Sequence, residues 1–320
     1  MKLLIITLLF VSLPCDAQWY QKEFDVMGTK AKVELESDKP ELAQKLILKV
    51  IEEMNRIDRL MSPFKPSSEL SKINNLAASQ EIKISKEMFQ LLQRSIDYSE
   101  LTGGAFDITF PSVGFNYDYR NNIRPTGSQL KELVNNINYK SILLNANKTS
   151  IKFKSKQTKI DLGGIAKGHA VDKCIEILVS NGIKNAFVNA GGDSRVIGKK
   201  KDRMWYIGVR DPRDEKKLIV NLPLEDVAIS TSGDYERFFI QDNVRYHHIL
   251  DPKTGDSARK SQSVTIIASN GIDADALSTS IFILGSEDGL KLINQMPDVS
   301  AIIIDKDGQM KYSDDLLSVN

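Results

Sequence analysis

The feature that most constrains this chain is a succession of short strand-like segments in its second half. Ala186–Asn189, Arg195–Gly198, Trp205–Arg210, Val227–Ser230, Glu236–Ile240, Tyr246–Leu250 and Ser263–Ile267 follow one another with no helical pattern between them. Gln241-Asp242-Asn243 reads as a tight hairpin turn inside that series. Strands joined this way pair antiparallel, because a parallel pair needs a long crossover, usually a helix. Helical periodicity is interspersed rather than alternating. Leu42, Leu46, Ile47, Val50, Ile51, Met54, Ile57 and Leu60 mark a long helix between Pro40 and Ser62-Pro63, and Met88, Leu91, Leu92 and Ser95 line a second that stops at Thr102-Gly103-Gly104. Further helices are expected over Ile165–Ser180, Asp273–Leu284 and Leu290–Met296, a strand pair or one long strand over Phe24–Leu35 interrupted at Met27-Gly28-Thr29, and a closing hairpin around Asp307-Gly308. Pro63–Asn75 reads as loop, and Arg120–Lys159 as irregular apart from two short strands. The fold class is α+β with antiparallel sheets, not a doubly wound parallel sheet.

The first residues differ from the rest. Lys2 precedes an apolar run from Leu3 to Leu13, followed by Pro14 and Cys15-Asp16-Ala17. A short basic start, an apolar core and a small-x-small site predict an export signal over residues 1–17, cleaved after Ala17, with residues 18–320 as the working domain. The run is too short to span a bilayer. Lipidation at Cys15 is the alternative, and it sets whether the protein contacts a membrane. With only two cysteines in the chain, loss of Cys15 leaves Cys174 alone on an apolar stripe, which argues against a cysteine nucleophile or a cysteine zinc site. A formal charge of +1 gives no global basic signal for nucleic acid.

Four constellations could carry chemistry. In Asp161-Leu162-Gly163-Gly164-Ile165-Ala166-Lys167-Gly168 an acid precedes a glycine turn and a helix start, a place where free amides attract anions. The alternative is a plain capped helix start, since the segment is neither a Walker loop nor a full Gly-x-Gly-x-x-Gly. Asn189-Ala190-Gly191-Gly192-Asp193 is either a backbone approach to a ligand or a turn. Two of the three histidines, His247 and His248, adjoin on a strand, so one can face a cleft as a general base while the other faces core or solvent. In Asp273-Ala274-Asp275-Ala276-Leu277-Ser278-Thr279, Asp275 and Thr279 share one helix face and suit magnesium as hard oxygen donors; capping by Asp273 is the alternative.

In this order, these stretches resemble the FAD:protein FMN transferase family, also called ApbE. Asp161–Lys167, Thr231–Tyr235, His248–Gly255 and Ala274–Thr279 are specific in combination, and the resemblance runs from Met27 to about Gly285. It implies two duplicated, T-fold-like lobes of mostly antiparallel sheet with packed helices, and a ligand cleft between them. It also implies FAD as substrate, with Met27, Ser62, Pro63, Phe64, Ala105, Phe106 and Asp107 on its flavin side. Asp161 would meet the adenine part, with Lys167 and Ile249 lining the site. Mg2+ would be held by Asp275 and Thr279 and by backbone oxygens near Gly164 and Ser278, and His248 would act as base. Some members carry threonine at the position of Gly164 and aspartate at that of Ser278, so here the metal leans on carbonyl oxygens. The implied reaction moves FMN to a Thr/Ser hydroxyl of a client flavoprotein subunit of a membrane redox complex, releasing AMP, in the periplasm. The competing readings are a metal-dependent FAD pyrophosphatase and a non-catalytic periplasmic flavin-binding protein.

Overall fold

The structure is a computed structural model that describes residues 17–317, so the export signal and the lipidation alternative at Cys15 lie outside the described residues apart from Ala17. No helix among the described residues is long and apolar enough to cross a membrane. β1 (Gln18–Val26) and β2 (Thr29–Ser37) form a hairpin whose turn is Met27-Gly28, at φ 52° and 71°. Two successive left-handed residues give a type I′ turn, whose twist matches that of the flanking strands. α1 (Pro40–Met61) starts at its proline, where the missing N–H would have had no partner anyway, and buries Leu46, Val50, Met54 and Ile57. The segment read as loop after Pro63 contains a helix, α2 (Glu69–Leu76), because the Ser68 side chain accepts from the Ser71 amide and starts it.

β3 (Ile82–Lys83) leads into α3 (Lys86–Leu101), which stops at Thr102 before two left-handed glycines. The stretch read as irregular holds a further helix. After the single turn of α4 (Pro111–Gly114), α5 (Gly127–Leu133) is started by a capping box between Thr126 and Gln129. β4 (Ile142–Asn145) and β5 (Ser150–Phe153) pair with each other, and β5 pairs with β3. α6 (Ala166–Ser180) then precedes β6 (Ala186–Ala190), β7 (Asp193–Ile197) and β8 (Trp205–Arg210). Next comes β9 (Leu218–Leu224), a strand not expected from the sequence, with Pro223 inside it; it pairs only with β8, so it is an edge strand, where proline is tolerated. β10 (Ala228–Gly233) follows. β11 (Phe238–Gln241) and β12 (Val244–His247) make the hairpin expected at Asp242-Asn243, both residues being left-handed. β13 (Ser261–Ala268) precedes α7 (Gly271–Ile293), whose non-helical backbone at Gly285 (φ 81°) divides it into the two helices read from the sequence, the second folding back so that Gly289 lies against Ile281. β14 (Ser300–Asp305), β15 (Met310–Tyr312) and the single turn α8 (Asp314–Leu317) close the chain.

Eight of these strands form one antiparallel sheet in the order β1-β2-β6-β7-β10-β13-β14-β15. α1 and α6 cover the first half and α7 the second. The α+β class and the antiparallel pairing therefore hold, and the two expected lobes are two halves of a shared sheet, each with its own apolar core. One core gathers Val33, Leu35, Val50, Met54, Val171, Cys174 and Val188; the other gathers Leu92, Phe106, Val264, Ile266, Leu277, Phe282 and Ile303. Cys174 is a buried free thiol within the first. Register explains where they part. Val33 pairs with Val188, Val188 with Arg195, Arg195 with Ala228 and Ala228 with Ala268, so these residues face the helices. Two residues along the same strands, Asp193 pairs with Ser230 and must face the helices as well. A polar seam thus interrupts the apolar face at the β7–β10 junction, opposite the start of α6 and the first turns of α7.

Candidate active site

The seam is a connected set of charges and hydroxyls. The Lys167 ammonium, on the second residue of α6, lies 2.5 Å from Asp193 Oδ2 and 3.6 Å from Asp275 Oδ1. Both carboxylates are 2% exposed. Asp193 Oδ1 accepts from the Ser230 hydroxyl at 2.6 Å, and Asp275 Oδ2 accepts from the Gly168 amide at 2.9 Å. The hydroxyl of Ser278 donates to the carbonyl of Asp275 at 2.9 Å and lies 3.1 Å from that of Ser230 and 2.8 Å from that of Ser232; Ser232 lies 3.3 Å from Thr279 Oγ1. Burial and the neighbouring Asp193 carboxylate push the Asp275 pKa up, against the pull of Lys167. Burial works to lower the Lys167 pKa, but the two carboxylates outweigh it and hold the ammonium charged.

The expected acid-and-hydroxyl pair, Asp275 and Thr279, therefore sits on the seam. Gly164 joins it: a methyl group there would lie 3.2 Å from Thr279 Oγ1 and 3.3 Å from the Phe106 ring, so only a bare backbone fits between them without displacement. Two buried carboxylates face one ammonium, which leaves a net negative charge among hard oxygen donors. Asp275, Thr279 and the backbone oxygens around Gly164 and Ser278 are hard donors of the kind a magnesium ion takes, although no cluster of three or more His, Cys, Asp or Glu side chains placed to hold a metal occurs among the described residues. The capping alternative at Asp273 is corrected. Asn270 caps α7 by accepting from the Asp273 amide, while the Asp273 side chain binds Arg94 and the Tyr98 hydroxyl. Nor does any side chain cap α6, whose N-cap is Ile165.

Asp161 lies at the mouth of the glycine turn, its Oδ1 accepting from the Gly163 amide at 2.6 Å. Burial raises its pKa, while that amide and the charges of Arg237 and Lys167 oppose the rise. The histidine pair splits as alternation requires. His247 is core, its Nε2 2.8 Å from the Ala258 carbonyl and its ring edge-on to Phe282. His248 is half-buried with an unpartnered Nδ1, and burial together with the charges of His247 and Arg237 pushes its pKa down to about 3. It is a neutral base at any physiological pH.

The remaining expected residues divide. Met27, at the β1–β2 turn, packs against both cores. Ala105, Phe106 and Ile249 are buried, Phe106 edge-on to Tyr98 and against Gly164. Asp107 is internally engaged, accepting from the Thr109 amide and hydroxyl and from the Tyr139 amide, so it organises the loop that carries Phe106. Ser62, Pro63 and Phe64 cap the end of α1, with Phe64 74% exposed and without a partner in the core. Sequence reasoning missed Asp193, Ser230 and Ser232. Asp193 ends a glycine motif and Ser230 and Ser232 belong to Ser-Thr-Ser-Gly, but only the strand register turns them toward one point. A separate cavity of about 720 Å³, lined among others by Arg56, Glu87, His169, Asp172, Arg195 and Asp273, lies along later turns of α6; its charges pair among themselves.

A model of the ApbE family matches residues 27–303. The FAD:protein FMN transferase of Treponema pallidum is 30% identical over 316 residues, 92% of this chain and 86% of that protein. That of Vibrio cholerae is 34% identical over 271 residues, 81% and 80% of the two chains. Among solved structures, the ApbE protein of Thermotoga maritima superposes with a TM-score of 0.87 at 36% identity, covering 94% of this chain and 98% of its own. The flavin transferase ApbE of Vibrio cholerae superposes at 0.83 and 27%, covering 93% and 98%.

Proposed function

The chain belongs to the ApbE family, and on that premise we propose that it is an exported, magnesium-dependent FAD:protein FMN transferase acting on a serine or threonine of a client flavoprotein. Membership rests on the match over residues 27–303. The observation that carries the chemistry is the seam, where Lys167, Asp193, Asp275, Thr279 and the Gly163-Gly164 backbone converge beside a neutral histidine.

The residues divide the work. Asp275 and Thr279, with backbone oxygens at Gly164 and Ser278, would hold magnesium, which when bound neutralises phosphate charge and makes AMP a better leaving group. Lys167 keeps the two carboxylates apart and oriented. The glycine turn lets backbone amides approach a phosphate closely. His248 accepts the proton of the client hydroxyl as that oxygen forms its bond to the FMN-side phosphorus; the bond from phosphorus to the bridging oxygen breaks, and AMP leaves with that oxygen. The catalytic effect is mostly positioning and electrostatics.

The test is mass spectrometry of a candidate client after incubation with FAD, magnesium and the full chain. An added FMN on a serine or threonine, with AMP released, is expected. AMP appearing at the same rate without any client would mark a pyrophosphatase, and FAD bound but intact would mark a flavin-binding protein. Asp275→Ala should lose magnesium-dependent transfer by about 100-fold or more, in line with removal of a transition-state electrostatic group.

A further inference from the structure

The diphosphate of FAD carries two negative charges, and the glycine turn offers it backbone amides but no side-chain cation. Lys167 is the nearest ammonium on the seam, and its charge is already taken by Asp193 and Asp275. The cations around the β11–β12 hairpin are committed as well. Arg213 forks onto Asp234 at 2.6 and 2.7 Å. Arg245 lies 3.8 Å from the same carboxylate and over the Phe238 ring. Arg124 and Arg259 face Asp256 and the Tyr246 ring.

Arg237 is different. It immediately precedes β11, is exposed, and has no carboxylate within ion-pair distance among the described residues. Its position is set by the hairpin register. Phe238 pairs with His247, and the ladder continues one step, the His248 amide donating to the Arg237 carbonyl at 3.1 Å. Residues directly opposite on an antiparallel pair project to the same face with their β-carbons about 5 Å apart. Arg237 and His248 are therefore cross-strand neighbours on one face. The charge of Arg237 reaches both His248 and Asp161, the two groups that bracket the expected path of the dinucleotide.

We propose that Arg237 is a further substrate-binding residue, its guanidinium taking non-bridging oxygens of the flavin dinucleotide's diphosphate beside His248. A guanidinium presents two parallel donors that match two phosphate oxygens, and a diphosphate is the doubly charged part of FAD. The inference rests on the proposed use of FAD and adds the residue that reads its charge. Forming that bond breaks no ion pair among the described residues, although the guanidinium also lies near enough to Tyr119 to act on its phenol.

The experiment compares wild type, Arg237→Gln and Arg237→Lys as full chains with magnesium, titrating FAD and, separately, riboflavin, which has the same ring and no phosphate. Thermal melting of the unliganded proteins controls for folding. Expected is a loss of FAD affinity of about ten-fold or more in the Gln variant, the weight of one charged hydrogen-bonded pair. The Lys variant should fall between, and riboflavin affinity should not change. Unchanged FAD affinity in the Gln variant overturns the assignment, as does an equal loss for FAD and riboflavin. A raised KM for client with FAD binding intact also overturns it, placing the guanidinium on a client carboxylate instead. Failure of wild type to bind FAD strikes the proposed function itself; failure of wild type to modify a client while Arg237→Gln still weakens FAD binding strikes the transferase reading and leaves Arg237 in place.

Discussion

At the scale of single residues, the informative atoms are those whose partners are unusual for their depth. A histidine in water changes charge near pH 6.5, but burial above all, with the adjoining His247, Arg237 and Lys167, pushes His248 down to about 3. A base held neutral needs no deprotonation to act. Between pH 5 and 8 the transfer rate should therefore show no limb from this histidine, and His248→Asn should lower the rate without moving the profile's remaining limbs. A rate that rises with an apparent pKa near 6.5 in wild type, and loses that limb in His248→Asn, would contradict the placement. Asp193 gives a second prediction. Its two oxygens hold Lys167 and Ser230, so Asp193→Asn leaves a buried ammonium with one carboxylate instead of two. The remaining pair is charge-matched, so the cost is that of the lost hydrogen bonds to Lys167 and Ser230; a loss of about 1–2 kcal/mol in denaturant unfolding at pH 7 is expected, with Asp193→Ala no milder. His248 was legible in the sequence because an adjacent pair on a strand must split between two faces. Asp193 was not: its role depends on pairing with Ser230, thirty-seven residues away, and no local pattern encodes that register.

At the scale of elements, the site is built where two helices touch. α6 and α7 cross with Gly168 against Gly271; a methyl group on Gly168 would lie 2.1 Å from the Gly271 carbonyl oxygen and 2.8 Å from the Asp275 side chain. Gly168→Ala forces the helices apart at the point that sets the Lys167–Asp275 spacing. Overpacking of this kind costs about 1–3 kcal/mol, and weaker magnesium binding by calorimetry should accompany the lower melting temperature. A second clamp lies further along α6. Glu87 on α3 receives the Arg56 guanidinium from α1 and the His169 ring from α6, joining three helices. The hydrogen bonds from Arg56, opposed by burial and aided by His169, hold its pKa down at about 2. Its folded pKa is depressed, so its stabilisation is present above pH 4.5 and is lost as the pH falls toward 2. Glu87→Gln should cost about 1–2 kcal/mol at pH 7, and the gap to wild type should close in melts run down that acid range. The long helices were legible because their apolar stripes repeat, and the β11–β12 turn because Asp242 and Asn243 tolerate left-handed backbone. α2 escaped notice although Ser68 is a sound cap, since its eight residues hold only two fully buried apolar side chains, Leu70 and Ile73. α5 carried its own signal in Thr126 and Gln129.

At the scale of the whole molecule, the question is whether two apolar cores make two folding units. The backbone argues for one. β7 and β10 are hydrogen-bonded neighbours within a single sheet, so the ladder crosses the boundary between the cores without interruption. α6 and α7 pack on each other over that boundary, and Met27 touches both cores from the first turn of the chain. Neither half can open without stripping partners from the seam: Asp275 of the second half faces Lys167 of the first, and Asp193 of the first accepts from the Ser230 hydroxyl of the second. Calorimetry should therefore show one transition. A ligand seated on the seam stabilises both halves together. FAD at about a hundred times its dissociation constant should add ~2.7 kcal/mol. For a chain of this size that is a rise of roughly 5 °C in the single transition, and at one fixed FAD concentration the rise should be larger with magnesium present than without. Two resolved transitions, of which FAD moves only one, would mean that the dinucleotide binds within one lobe and that the seam between them is not its site.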